Sequence, residues 1–357
     1  MNALNSEILR NAHAVLLPAI SDLAIEPRLG EFLRGGGQAI LLGETREEYL
    51  ARKMSPRRRA EEGRDGMKES LRGIQDRYGP LLVAVDQELG GIKRLEGLVP
   101  DLPSAADAAR LSDQAIEDSA FACGAAAKAI GVSMFLAPIL DVVTGSNPWL
   151  KGRTLGTNRD EVGRIGAAYI RGVQKGGVVA VAKHFPGYSD LGGDPAITDV
   201  ALELDEATVW ERATPFAKAI EAGVKAVMMG PARVKALDEH NGVLASPTAI
   251  GALKRKFKFS GVVVTDDIDA PATLRGGSLD DIAVRAVAAG ADLLLLAGGD
   301  HLPELCAKIA EAVHNGRLSA ERLLEAASRI RSMAASHQGG GILSSPRQWT
   351  SEPELRP

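Results

Sequence analysis

Eight short apolar runs recur along this chain, and each is followed by turn residues and then by a stretch with helical periodicity. The runs span residues 14–20, 39–43, 81–86, 134–141, 178–185, 225–230, 261–267 and 291–298. Because their apolar residues are continuous instead of alternating, they predict strands covered on both faces, as in a parallel sheet. Eight strands alternating with helices predict an α/β protein, a (β/α)₈ TIM barrel in a single domain. A doubly wound open sheet is the alternative, because the number of strands does not decide whether the sheet closes.

The regular alternation predicts one domain over residues 1–337. Residues 338–357 are rich in Gly, Ser and Pro and predict a flexible C-terminal tail. Residues 53–66 are dense in charge and predict a solvated surface loop, although their clustered arginines can also contact an anionic ligand. Amphipathic stretches at 160–175 and 207–222 predict helices.

Composition excludes several classes of function. The net charge is −4 and only 4% of residues are aromatic, so neither a basic field nor a base-stacking surface favours nucleic acid or an anionic membrane. Cys123 and Cys306 lie in apolar, helix-like stretches and predict buried thiols in a reducing compartment. Without a signal-peptide pattern or a bilayer-spanning apolar run, we expect a cytoplasmic protein with no membrane partner.

Charged residues cluster where the strands of a barrel would end, which is where barrel enzymes place their active sites. They are Asp86, Glu88, Arg94, Asp141, Arg153, Lys183, His184, Asp266 and Asp267. Taken alone, Lys183 fits an ordinary surface residue and His184 a hydrogen-bonded core histidine. Together, carboxylates and interleaved cations can bind the hydroxyl groups of a polyol from several directions and leave one carboxylate free to attack.

A metal site is the competing interpretation of the clustered carboxylates. It is weaker, because Arg94, Arg153 and Lys183 would repel a divalent cation. The chain also has no Gly-rich phosphate loop and no dinucleotide-binding fingerprint. We therefore expect no metal and no cofactor.

Five segments, in their order and spacing, resemble glycoside hydrolase family 3. They are VAVDQELGGIKR (83–94), APILDV (137–142), KGRTLG (151–156), AKHFPGYSDLGGD (182–194) and VVVTDDI (262–268). The resemblance covers about residues 14–331 and is nearest to the bacterial single-domain β-N-acetylglucosaminidases (β-N-acetylhexosaminidases). It implies a barrel and a retaining mechanism through a covalent glycosyl-enzyme, with Asp266 at the position of the nucleophile. It also implies sugar binding by Asp86, Arg94, Arg153, Lys183 and His184.

The chain departs from that family in one loop. The family carries KHFPGHG and then Asp-Ser-His, whose histidine is the acid/base, whereas this chain has KHFPGYS and then Asp194-Pro195-Ala196. Alanine cannot transfer a proton, and general acid catalysis is typically worth ~10²–10⁴-fold. Simple loss of the histidine would therefore leave a slow hydrolase.

Three functions remain open. The first is a glycosidase with a substitute acid, taken from Tyr188, Asp190, Asp194 and His240. The second is an enzyme for an activated donor, such as a glycosyl phosphate, whose leaving group needs no proton. The third is a sugar-binding protein on an inactive barrel. In each case we expect the protein to be a monomer or homodimer whose ligand is a small-molecule carbohydrate.

Two expectations concern the geometry around Asp266. Lys183 and Arg153 should hold its carboxylate by charge and hydrogen bonds. Asp267 should point away from the site, because adjacent residues of a strand face opposite sides. Tyr188, which replaces a family histidine, is a further candidate for sugar contact.

Overall fold

The computed structural model describes residues 3–23 and 25–338. Its strands are β1 Leu16–Ile20, β2 Ala39–Leu42, β3 Leu82–Val85, β4 Met134–Phe135, β5 Val179–Phe185, β6 Ala201–Leu202, β7 Ala226–Met229, β8 Arg233–Val234, β9 Val262–Thr265 and β10 Leu294–Ala297. Eight of them, one from each predicted run, form a parallel sheet in the order β10-β1-β2-β3-β4-β5-β7-β9. The short strands β6 and β8 form a separate parallel pair that the sequence did not predict.

The two edges of the eight-stranded sheet meet. Val264 of β9 forms a parallel bridge with Leu293, just before β10. The Thr265 N–H donates to the Leu293 carbonyl at 2.9 Å, and the Asp292 N–H donates to the Val263 carbonyl at 2.8 Å. The sheet therefore closes, which confirms the (β/α)₈ barrel and excludes the open doubly wound sheet.

Helices cover the outside of the barrel. They are α1 Ala3–Ala14, α2 Pro27–Gly35, α3 Arg46–Ala51, α4 Pro56–Glu61, α5 Arg64–Tyr78, α6 Ala105–Arg110, α7 Asp113–Ala129, α8 Arg159–Lys175, α9 Glu206–Arg212, α10 Thr214–Glu221, α11 Pro247–Arg255, α12 Pro271–Leu274, α13 Leu279–Ala289, α14 Leu302–His314 and α15 Ala320–Gln338, with a 3₁₀ turn at Val243–Ala245. Many begin at a side-chain cap; Ser112, for example, accepts the Ala115 N–H at the start of α7. The tail predicted at 338–357 lies outside the described residues, except for Gln338, which ends α15.

Two local predictions need correction. The helix predicted at 207–222 is divided into α9 and α10 at Ala213. Pro215 lacks an N–H and its ring clashes with a preceding turn, so it suits the start of a new helix and not the middle of a long one.

The charge-dense segment 53–66 lies at the surface as predicted but is largely helical, because α4 and the start of α5 occupy most of it. Arg58 of α4 has a side chain only 10% exposed, and it pairs with Glu48 at 2.9 Å and Glu62 at 2.7 Å. Glu62 in turn pairs with Arg94 at 2.8 Å, beyond β3. These ion pairs turn Arg58 and Glu62 inward while the other charged residues of the segment stay exposed, and a pattern of charge along the sequence cannot reveal such pairing.

The core has two layers. Residues that point into the barrel form one cluster, which includes Leu41, Ala84, Val181 and Val264. Ile330 of α15 belongs to the same cluster, so α15 closes one end of the barrel. A larger cluster fills the space between strands and surrounding helices. Across residues 3–23 and 25–338, no helix is long and apolar enough to cross a membrane.

A buried ion pair fixes α15 to the barrel and supports a stability prediction. Asp292 is fully buried, accepts the Val263 N–H at 3.0 Å and pairs with Arg322 of α15. Asp292→Ala strands the Arg322 charge and should lower the free energy of unfolding by about 3–5 kcal/mol. Urea denaturation measures the loss. The control is Glu325→Ala, which removes the exposed partner of the same arginine and should cost no more than about 1 kcal/mol. Equal losses in the two variants would contradict the prediction.

Candidate active site

A pocket of about 350 Å³ opens where β2, β3, β5 and β9 end. Its charged and aromatic wall consists of Glu44, Arg46, Tyr49, Asp86, Trp149, Arg153, Lys183, His184, Asp266 and Asp267. A pocket at the carboxyl ends of the strands is the place where a barrel of this kind carries its chemistry. Four residues named from the sequence, Asp86, Lys183, His184 and Asp266, therefore do come together, and Arg153 joins them.

A buried ionic network forms one side of this pocket. Lys183 contacts Asp86 at 2.5 Å and Glu88 at 2.9 Å, and Arg153 contacts Glu88 at 2.6 Å. Burial opposes ionisation of Glu88, but Arg153 and Lys183 outweigh it and hold the pKa of that carboxyl well below its usual range. Burial likewise disfavours the charge of Lys183, but Asp86 and Glu88 raise its pKa. The network is therefore ionised at neutral pH.

This network corrects the expected partners of Asp266. Lys183 and Arg153 pair with Asp86 and Glu88, whereas the side chain that meets Asp266 is His184, with 3.6 Å between His184 Nε2 and Asp266 Oδ2. The sequence could not indicate this choice, because all these residues stand at strand ends and only the barrel geometry decides which of them meet.

Asp141 orients His184. Its Oδ2 accepts the His184 backbone N–H at 3.0 Å and lies 2.8 Å from the ring Nδ1. Because a carboxylate only accepts, this contact puts a proton on Nδ1 and leaves Nε2 facing Asp266. The ring of Trp149 packs against the imidazole, with 4.4 Å between the ring centroids. The imidazole is thus fixed by a carboxylate behind it and an aromatic ring beside it.

Asp266 presents one unsatisfied oxygen to the pocket. Its Oδ1 accepts the Asp267 N–H at 2.8 Å. Its Oδ2 is buried and has no hydrogen-bond partner among the residues that the structure describes. A buried carboxylate oxygen without a hydrogen-bond partner lowers the stability of the fold, so its presence indicates that a ligand or a reaction uses it.

Asp267 does not point away as expected. It lines the same pocket, and burial together with the charge of Asp266 raises the pKa of its carboxyl well above the usual range. β9 ends at Thr265, so the alternation of a strand no longer governs the next two residues. This place in the site therefore favours the neutral form of the Asp267 carboxyl group.

Arg94 and Tyr188 are not part of the pocket wall. Arg94 is 1% exposed and donates to the Gly43 carbonyl at 3.0 Å and to Glu62 at 3.0 Å. Tyr188 is wholly buried, and its hydroxyl donates to the Ala232 carbonyl at 2.6 Å. The Tyr188 hydroxyl is thus committed to a protein partner behind the site, which corrects the expectation that it contacts sugar. Arg94 does not line the pocket, but its Nη1 has no hydrogen-bond partner among the described residues, so sugar binding by Arg94 stays a prediction.

The loop after β5 reaches the site, but its acidic side chains do not. Pro195 and Ala196 line the pocket, whereas the Asp194 carboxylate caps its own loop by accepting the Ala196 N–H at 2.9 Å. Asp190 is exposed and accepts the Gly145 N–H at 2.7 Å. His240 lines a different cavity, beside Arg275. The substitute acids named from the sequence thus lie outside the wall of this pocket.

Sequence reasoning missed four residues of the wall, which are Glu44, Arg46, Tyr49 and Trp149. Glu44 follows the second apolar run by one residue, so the rule that strand ends carry chemistry could have found it. Tyr49 lies on α3, where its hydroxyl accepts from Arg153 at 3.1 Å, and Trp149 lies in the loop before α8. Neither aromatic residue has a local signal. Within the described ranges, no group of three or more His, Cys, Asp or Glu side chains is arranged to hold a metal ion.

A closed parallel barrel with carboxyl groups, a lysine and a histidine around a pocket at its strand ends defines a protein of the barrel glycosidase class. Residues 44–333 match the family model described as "Glycosyl hydrolase family 3 N terminal domain". The chain therefore belongs to glycoside hydrolase family 3.

Individual relatives agree with this assignment. The chain is 27% identical over 241 residues to a protein named "Beta-hexosaminidase" from Methylococcus capsulatus, covering 66% of this chain and 71% of the relative. It is 26% identical over 271 residues to "Beta-hexosaminidase LpqI" of Mycobacterium tuberculosis, covering 73% and 70%. A glycoside hydrolase family 3 β-N-acetylglucosaminidase from Paenibacillus sp. str. FPU-7 superposes with a TM-score of 0.83 at 26% identity. That match covers 96% of this chain and 66% of the Paenibacillus chain, just under two thirds of its length.

Proposed function

We propose that this protein is a retaining β-glycosidase of the β-N-acetylhexosaminidase type, which cleaves a small β-N-acetylglucosaminide-like substrate through a covalent glycosyl intermediate on Asp266. The names of its relatives support the reaction class. The observation that carries the proposal is the buried, unpartnered Oδ2 of Asp266 in the pocket wall.

In the first step, Asp266 Oδ2 attacks the anomeric carbon while the bond from that carbon to the leaving oxygen breaks. The Asp267 N–H holds the other oxygen, so the carboxylate is oriented before the substrate arrives. Water then attacks the same carbon while the bond from that carbon to Asp266 Oδ2 breaks, and the sugar is released with its configuration retained. The proton that the water loses balances the proton that the leaving oxygen takes up. Two displacements on one carbon give the net retention.

Substrate binding is assigned to the other polar groups of the wall. Asp86 is 14% exposed and its partner Lys183 is 3% exposed, so Asp86 meets the sugar hydroxyls while Lys183 holds it in place. His184 presents Nε2 beside Asp266 and so contacts the sugar close to the reacting carbon. Arg153, fixed by Glu88, lies at the side of the pocket formed by Tyr49.

A second candidate function follows from the loop at Ala196. Ala196 stands in the pocket wall where the family resemblance implies an acid/base histidine, and a methyl group transfers no proton. The acids proposed as substitutes lie outside the wall. This favours an activated donor, such as a glycosyl phosphate, whose leaving group departs without general acid catalysis.

Turnover of paired substrates separates the candidates. Aryl β-N-acetylglucosaminides are compared, one with a nitrophenol as leaving group and one with an unactivated phenol. Cleavage of both supports a glycosidase with its own acid, and cleavage of the nitrophenyl glycoside alone supports the activated-donor enzyme. If neither is cleaved although N-acetylglucosamine binds, the protein is a sugar-binding member of the family.

Covalent trapping tests Asp266 directly. A 5-fluoro N-acetylglucosaminyl donor, which keeps the acetamido group at C2, should add its mass to the tryptic peptide Phe259–Arg275, because fluorine slows hydrolysis of the glycosyl ester. Fragmentation of that peptide should place the label on Asp266, and Asp266→Asn should remain unlabelled. A label on Asp267, or turnover with no label, contradicts the assignment.

The proposed setting is a reducing compartment, the cytoplasm, with the protein as a monomer or homodimer. Cys123 and Cys306 are buried and unpaired, as expected for thiols that are never oxidised in place.

A further inference from the structure

Glu44 is a pocket residue that the proposed reaction does not use. It follows β2, which ends at Leu42, and its side chain forms part of the wall. Its Oε1 is buried and finds no hydrogen-bond partner anywhere in the described chain. An unmet buried acceptor of this kind typically costs ~1–3 kcal/mol. A ligand that supplies the partner would recover that cost.

The charges around Glu44 are already balanced. The cations facing it are Arg94 and Lys183, and the anions are Asp86 and Glu88. Lys183 pairs with both anions, and Arg94 pairs with Glu62 behind the wall. An ionised Glu44 would therefore add a negative charge that neither Arg94 nor Lys183 is free to neutralise. The remaining cation of the wall on this side, Arg46, is exposed and stacks over the Tyr49 ring.

The protonation of Glu44 follows from this balance. Burial, and then the charge of Asp86, raise the pKa of its carboxyl to about 8, while Arg94 and Lys183 only partly oppose the shift. At pH 7 the group is a carboxylic acid with one O–H donor and one free carbonyl acceptor. Asp86, in contrast, is paired with Lys183 and can only accept.

We propose that Glu44 is a specificity-determining residue of the substrate pocket, whose carboxyl group donates a hydrogen bond to a free hydroxyl group of the sugar that also donates to Asp86. This proposal rests on the proposed carbohydrate function and names the substrate class more closely. The sugar is neutral and unsubstituted at that hydroxyl, because a carboxylate or phosphate there would face the Asp86 charge while Lys183, the cation beside it, is already paired with Asp86 and Glu88.

The pH dependence of binding follows with a definite sign. Glu44 is neutral below about pH 8 and ionises above it. Ionisation removes the donor and places a second carboxylate near Asp86, so the dissociation constant for a neutral sugar should rise up to tenfold per pH unit above 8. The raised pKa also means that Glu44 destabilises the fold progressively as pH rises from its ordinary value of 4.5 towards 8.

Binding of N-acetylglucosamine to the full chain tests the proposal. The ligand is titrated between pH 6 and 9.5, and tryptophan fluorescence is recorded because Trp149 lines the pocket. Glu44→Gln keeps a neutral donor and acceptor, so it should bind within about threefold of wild type at pH 7 and show no weakening above pH 8. Glu44→Ala should bind about 5- to 100-fold more weakly at pH 7. The matched control is Glu47→Gln, an exposed glutamate on α3 that should behave as wild type.

Three outcomes overturn the proposal: unchanged binding by Glu44→Ala, the same pH profile in Glu44→Gln as in wild type, or tighter wild-type binding above pH 8. The last would mean that Glu44 acts as a carboxylate. Binding without turnover of any glycoside refutes the proposed hydrolase but leaves the role of Glu44 supported. Absence of sugar binding in wild type refutes both.

Discussion

Asp266→Asn lowers kcat/KM for an aryl β-N-acetylglucosaminide by about 10⁴-fold or more, because an amide cannot form the glycosyl ester of the proposed mechanism. The change is nearly isosteric, and the amide oxygen can still accept the Asp267 N–H. The melting temperature should therefore stay within a few degrees of wild type. Initial rates at subsaturating substrate, with circular dichroism of the same samples, give both quantities.

Asp267→Asn is the matched control for this loss. Asp267 is the neutral neighbour, since burial and the Asp266 charge raise its pKa, and an amide imitates a neutral carboxyl group. Its rate should fall by less than about tenfold, because no covalent step uses it. Azide should restore turnover of a nitrophenyl glycoside by Asp266→Ala and yield the α-glycosyl azide, since azide then enters from the face that the carboxylate occupied. A larger loss in Asp267→Asn than in Asp266→Asn would move the nucleophile to Asp267.

The barrel could be predicted because burial on both faces makes every strand continuously apolar. The same feature hides the topology, since a strand of an open sheet has the same composition. Closure depends on contacts such as Val264 with Leu293, between segments whose sequences contain no sign of each other. Charged segments were predicted less well, because Arg58 looks solvent-exposed until Glu48 and Glu62 are seen to surround it.

The sequence could predict which residues share the site, but it could not predict which of their charged groups form ion pairs with each other. The rule that chemistry gathers at strand ends identified Asp86, Lys183, His184 and Asp266, which do share the pocket. Which cation meets which carboxylate depends on the stagger of neighbouring strands, so Lys183 was given to Asp266 although it contacts Asp86. Where the strand ends, its side-chain alternation also ends, which explains the error at Asp267.

Motif position also says little about whether a side chain faces the substrate. Arg94 and Tyr188 stand in the segments that resemble the family, yet neither lines the pocket, and both donate hydrogen bonds to carbonyl groups behind the wall. Glu44 stands in none of those segments and faces the pocket. A search restricted to recognised motifs therefore selects Arg94 and Tyr188, which lie behind the pocket wall, and misses Glu44, which forms part of it.

Ala196→His should increase cleavage of substrates with poor leaving groups by up to ~10²-fold, the low end of general acid catalysis. Ala196 already lines the pocket, and the Asp194 carboxylate lies beside it, bonded to its N–H at 2.9 Å. An imidazole there would have a neighbouring carboxylate to fix its tautomer, which supports proton transfer. The Pro195 carbonyl accepts the Ala272 N–H at 3.2 Å, so α12 holds the loop at the pocket while the substitution is made. Rates with a series of aryl glycosides of rising leaving-group pKa measure the gain.

The dependence on the leaving group is what separates acid catalysis from a general improvement in binding. A nitrophenolate leaves without a proton, so its glycoside should gain little, and the slope of rate against leaving-group pKa should flatten in Ala196→His. Ile197→His is the matched control: it places the same ring one residue further on, at a position 61% exposed, and should leave the slope unchanged. Equal gains for all leaving groups would mean that the imidazole only binds the sugar. If no substrate gains, a working acid is already present. The activated-donor function, which is supported by the lack of an acid at Ala196, would then lose that support.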